Sequence, residues 1–189
     1  MIEHAGLMEQ VLADPEALRA NCRHPDWRVR YACAVAMGEC GDAAWLPLLY
    51  EVLVAENARQ LYSQPRVREF VGSYDDTRMA EQLIRTEAVF DREYPEELKE
   101  DWRCRGRVRQ ACLFAVYAIG SATSELVAEI HRVLADPSED SVVMAAGAMV
   151  LGKVGDRSSV PYLEQAMRLD EWCLRVEARK ALAALERFA

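Results

Sequence analysis

Four stretches of the chain align on one another, and that internal repetition limits the fold more than any single residue does. They read VRYACAVAMGECGD from Val29, VRQACLFAVYAIGS from Val108, VMAAGAMVLGKVGD from Val143 and LRVEARKALAALER from Leu174. Each opens on Val or Leu, Arg follows in three of the four, and small residues recur inside every window. A second run with helical apolar spacing follows three of them, as in WLPLLYEVL from Trp45, LVAEIHRVL from Leu126 and VPYLEQAM from Val160. A unit of roughly 30 to 35 residues built this way is a helical hairpin that stacks on copies of itself, because one copy cannot bury its own apolar face.

The windows resemble the short HEAT repeats of the phycobilisome-lyase type, whose units run roughly VRxxAAxALGxxGD into a second helix with an early Pro. Val29, Arg30, Ala32, Ala36, Gly38, Gly41, Asp42 and Pro47 carry the likeness, and Val143, Ala146, Gly152, Gly155, Asp156 and Pro161 carry it again. The fold expected is all-α: an α-solenoid of HEAT-like helical hairpins with an irregular insertion, forming one domain over 1–189. Regular repeats cover about 24–55 and 104–189. Between them the register is lost: Val29 and Val108 are 79 residues apart, against steps of 35 and 31 between the later windows. The segment 56–103 is therefore an insertion or a degenerate repeat, and Met79, Leu83 and Phe90 give its 77–90 stretch helical spacing. Such repeats serve scaffolds, enzymes and nucleic-acid binders alike, so the fold does not name the function.

Asp14 reads as an N-cap with Pro15 at the first helical position, after a short LMEQVL run. Asp42 reads as the cap of a second helix, and Ser138 or Asp140 as the start of another after Asp136 and Pro137. The last window has no second helix, and its Glu177, Arg179, Glu186 and Arg187 suit a solvent-facing cap.

With 189 residues, 51% of them hydrophobic, the chain suffices for one sizeable core. No apolar run reaches membrane-spanning length, and the first ten residues lack the basic start and apolar stretch of a signal peptide. A cytoplasmic protein is expected, with no membrane partner. A net charge of -8 argues against extended contact with nucleic-acid phosphates. Cys33 and Cys112 occupy the repeat position held elsewhere by Gly147 and Ala178, so they read as small core residues. Cys22, Cys40, Cys104 and Cys173 match no zinc spacing, and neither metal nor cofactor is expected.

Three groups of residues are candidates for a role. Arg30, Arg109 and Arg175 share one repeat position and Asp42 and Asp156 another. In the family they resemble, such residues bridge neighbouring repeats, so a structural ladder is expected, interrupted at Met144 and Ser121. In RCRGRVR, Arg103, Arg105 and Arg107 surround Gly106 at a helix start. They form either an anion site or ion pairs with the acidic stretch from Glu93 to Asp101. The third group depends on the resemblance, which implies that first helices line a concave face with residues two, six and ten past each opening pointing into it. Tyr31, Val35, Gln110, Phe114, Met149 and Val176 hold such positions, with Trp27 and Trp172 two before their openings. An exposed apolar band of this kind marks a binding surface, whereas an insertion folded over it makes the same residues core.

No catalytic residue stands out. His4, His24 and His131 are each without a following Glu, so the His-Glu pairs of HEAT-repeat di-iron hydroxylases are missing, and there is no GxSxG, P-loop or dinucleotide fingerprint. The reading favoured is a non-enzymatic scaffold that binds a protein partner, or a second copy of itself, through the apolar groove. The alternatives are a bilin lyase-like or chromophore-handling protein, implied by the resemblance alone, and a HEAT-like DNA glycosylase, against which the acidic balance weighs.

Overall fold

The computed structural model describes residues 14–58, 106–136 and 139–187. The helices expected at 77–90 and at LMEQVL lie outside them. The described residues belong to one compact unit formed by 1–60 and 106–189. They form α1 (Pro15–Asn21), α2 (Trp27–Cys40), α3 (Leu46–Ala58), α4 (Arg107–Ile119), α5 (Ser124–Ala135), α6 (Ser141–Val154), α7 (Val160–Ala166) and α8 (Trp172–Glu186). Among the described residues there is no strand, and the expected all-α stack of HEAT-like hairpins is what the chain forms.

Local chemistry sets the helix starts. The carboxylates of Asp14, Asp26 and Asp140 each accept a hydrogen bond from the backbone N–H two residues on, and Thr123 Oγ1 accepts from Leu126 N. These bonds satisfy donors that the first helical turn leaves unpaired. Asp42 and Asp156 do the same one step earlier. Each caps a single 3-10 turn, Ala43–Trp45 or Arg157–Ser159, that leads into α3 or α7.

The four aligned windows become α2, α4, α6 and α8, which form one layer, and α1, α3, α5 and α7 form the second. Each first helix packs on the next first helix and on the second helix that precedes it in the chain. Met37, Leu49, Leu53, Leu113, Leu126, Ile130, Met144, Leu151, Leu163 and Leu174 fill the space between the layers and are fully buried. Each such side chain contributes about 1.5–3 kcal/mol through removal from water.

Small residues set how closely the helices approach. The position shared by Cys33, Cys112, Gly147 and Ala178 is buried in all four windows. A Cβ on Gly147 would stand 3.2 Å from Ile130 Cγ2 of the preceding second helix, which explains why the position stays small. Between first helices the contact is tighter still. A Cβ on Gly38 would lie 2.8 Å from Ala115 Cα, and a Cβ on Gly152 would lie 2.8 Å from Ala181 Cα. The same pair of repeat positions thus builds the α2–α4 and α6–α8 joints, with backbone against backbone.

This contact predicts an asymmetric response. Gly38→Val or Gly152→Val forces two helices apart and lowers stability by about 2 kcal/mol or more. Tyr117→Ala, at the aligned position of α4, changes stability by less than about 1 kcal/mol because that side chain is 37% exposed. Thermal denaturation of the three variants checks both.

Candidate functional site: the exposed face of the first helices

The first helices turn their small residues inward, and their opposite side carries large ones. Tyr31, Phe114 and Trp172 are 37%, 44% and 47% exposed, while Trp27, Val35, Gln110, Met149 and Val176 are half-buried. All eight residues of the expected band are therefore at or near the surface, and Phe114 is its most exposed member after Trp172. At the tenth position past the opening, Glu39, Ala118 and Lys153 are exposed and Ala184 is half-buried.

Local contacts hold parts of the band in place. Trp27 meets Tyr31 edge to face at 6.3 Å between ring centres, and the Arg28 guanidinium lies 5.4 Å from the Trp27 ring centre. The Trp27 indole Nε1 is buried and has no acceptor among the described residues, a costly arrangement for a donor. Lys153 Nζ donates to the Tyr117 carbonyl at 2.6 Å and lies 4.5 Å from that ring's centre.

Two exposed apolar residues on these helices, Tyr117 and Val142, were not among the expected band. Tyr117 had a signal in the alignment: it occupies the position held by Gly38 and Gly152, where a large residue has no room to point inward. Val142 precedes its window's opening residue and had no comparable mark.

The expected ladder is corrected. Arg30 is 3% exposed, and its Nε donates to Glu56 Oε1 at 2.5 Å while Nη1 donates to the carbonyls of His24 and Pro25. Its carboxylate partner is thus at the end of α3, in its own hairpin, not in a neighbouring repeat. Arg109 likewise pairs with buried Glu139, just after its own second helix, and Glu139 also accepts from Asp140 N ahead of α6. Arg175 pairs with Asp170 at 3.0 Å in solvent. Asp42 and Asp156 are exposed caps and not partners of these arginines. The arginine at this position therefore staples the two ends of one hairpin, and a carboxylate some 26 to 30 residues downstream completes it.

Of the arginine cluster, Arg107 is exposed at the first residue of α4, and Arg103 and Arg105 lie outside the described residues. Among the described residues no group of three or more His, Cys, Asp or Glu side chains is arranged to hold a metal ion. Cys33 and Cys112 are buried as expected, and burial pushes the Cys112 thiol far above the ordinary range, away from reactivity.

A buried polar contact that the sequence did not mark joins the second layer. His131 of α5 shares a 2.9 Å hydrogen bond between Nε2 and the fully buried Ser159 Oγ, and its ring stacks on Tyr162 of α7 at 4.2 Å. Burial lowers its pKa from the ordinary 6.5, and the Asp156 carboxylate opposes that shift without cancelling it.

Both kinds of buried polar group predict stability effects. Arg30→Ala leaves Glu56 facing a partly closed site and costs about 3 kcal/mol, whereas Arg175→Ala costs less than about 1 kcal/mol. Chemical denaturation separates them. For His131, the unfolded chain takes up a proton as pH drops through 6.5 before the folded chain does. Its contribution is fully present above that pH and is lost as pH falls below it. Replacing His131 by Gln therefore flattens the fall in denaturation midpoint between neutral and mildly acidic pH.

Among the described residues no helix is long and apolar enough to cross a membrane. Residues 29–54, which cover most of α2 and most of α3, match the PBS lyase HEAT-like repeat family. No curated protein matches the chain significantly. The matched hairpin recurs along the described chain with the same small buried position, and the glycine–alanine contact of α2 on α4 returns between α6 and α8. The chain is a HEAT-like repeat protein.

Proposed function

We propose that the protein is a binding scaffold whose first-helix face holds a segment of a protein partner. The observation that carries this reading is the exposure of Tyr31, Phe114 and Trp172 together on the outward side of helices whose inward side is already satisfied by packing. Polar residues at these positions would cost the fold nothing, so large apolar side chains there point to a use outside the fold. Aromatic and flexible apolar side chains supply contact energy at modest entropic cost, and Met149, at the position of α6 equivalent to Phe114 in α4, adds an adaptable surface. The net charge of -8 disfavours a nucleic-acid partner for the same face.

Site-specific photo-crosslinkers at Phe114 and Trp172 test the reading in cells, with one at exposed Glu164 on the second layer as control. A partner captured from the first two positions and not from the third is expected. Against the purified partner, Phe114→Ala and Trp172→Ala each weaken binding by about ten-fold with unchanged melting temperature. Equal capture from Glu164, or full affinity in both variants, would place the interface elsewhere.

A further inference from the structure

Among the described residues, the three joints between neighbouring first helices are not alike. At α2–α4 and α6–α8 a glycine faces an alanine and the backbones touch. At α4–α6 the equivalent positions hold Tyr117 and Val150, neither of which permits that approach, and the two helices meet less extensively than either other pair. Val150 is fully buried, and Tyr117 turns out to solvent.

The opposite ends of the same two helices are in close contact. Gly106 has φ 79, and a Cβ there would lie 2.7 Å from Val143 Cγ2 of α6, so the chain entering α4 rests directly on the first turn of α6. The buried Arg109–Glu139 pair ties the first turn of α4 to the residue just before the N-cap of α6. These helices are therefore pinned at their N-terminal ends and lack the glycine–alanine contact at their C-terminal ends. Lys153, in the last turn of α6, bridges those ends with its hydrogen bond to the Tyr117 carbonyl and its position over the Tyr117 ring.

We propose that α4–α6 is the flexion joint of the stack, pivoting at Gly106, Val143 and the Arg109–Glu139 pair, with Lys153 on Tyr117 as its latch. Opening it breaks a solvent-exposed lysine contact. Opening either glycine–alanine joint instead separates close-packed backbone along the contact, where many small dispersion terms are lost together. Phe114 and Met149 stand on the two helices of this joint, so flexion changes the spacing between two residues of the proposed partner face. Only that consequence rests on the binding proposal; the joint itself does not.

Hydrogen exchange on the full chain without any partner tests it. Lys153→Met removes the latch, and exchange rises about five-fold at both C-terminal ends, 116–121 at the end of α4 and 150–155 at the end of α6, while α2 and α8 are unchanged. The α4 end is the informative one, because fraying of α6 alone leaves it unmoved. Lys153→Arg keeps a cation and donors at the site and retains most of the protection. Unchanged exchange at 116–121 in Lys153→Met, or a uniform rise across all four first helices, overturns the proposal.

Discussion

The glycine–alanine contact between first helices is the constraint on which the rest of the stack depends. Helix axes brought so close leave no room for a side chain at the contact, so Gly38 and Gly152 are dictated by Ala115 and Ala181 rather than by helix propensity, which disfavours glycine in a helix interior. Once the first layer is set at that spacing, the second helices can pack on it only where the facing residue is also small. Gly147 against Ile130 is the direct case, and the equivalent Cys33, Cys112 and Ala178 are buried at the corresponding places. Large aliphatic residues then fill what remains between the layers. Volume thus runs from least at the first-layer contacts to greatest between layers, and this gradient makes one hairpin complementary to the next.

Apolar packing of that kind is tolerant of sliding, since leucine and valine make similar contacts in adjacent registers. The buried arginines are directional. Arg30 reaches two carbonyls in the turn ahead of its helix and a carboxylate at the far end of its hairpin, which fixes the two helices relative to each other and to the incoming chain. A buried ion pair adds little net stability compared with a well-packed apolar replacement, but losing one partner is costly. Its value here is geometric. The window with Met144 in place of arginine keeps a fully buried apolar side chain, and its second half is tied to the preceding hairpin through the His131–Ser159 bond.

Much of this was legible in the sequence because it is periodic. Helix type, the capping aspartates, the small position of Cys33 and the close approach of Gly38 follow from residues that recur at fixed spacing for steric or hydrogen-bonding reasons. The partners of the arginines were not legible. Glu56 and Glu139 lie at different distances downstream, 26 and 30 residues, since Glu56 lies within α3 and Glu139 beyond the end of α5, and a pairing that drifts in register leaves no repeat signal. His131 was hidden for the opposite reason: a single histidine on a helix face looks the same whether it meets water or a serine from the next hairpin. Tyr117 was visible as a departure from the repeat, yet its meaning emerged only when the glycines at the other two joints were found against alanine backbone.

The same geometry separates what packing explains on the first helices from what it leaves open. Packing accounts for the inward positions one by one, down to the methyl group that Gly38 cannot carry. It makes a lesser demand on the sixth position past each opening, where Val35 packs only in part against the core and Phe114 is exposed. There the chain places Val35, Phe114, Met149 and Lys180, three of them apolar and Phe114 substantially exposed. An acidic chain has polar residues in plenty for a surface with no other role. Solubility alone favours their use there, so the apolar choice works against the interest of the isolated chain. On the proposed reading that choice serves a contact outside the fold, and among the described first-helix joints the one that lacks the glycine–alanine lock is the one between the helices of Phe114 and Met149.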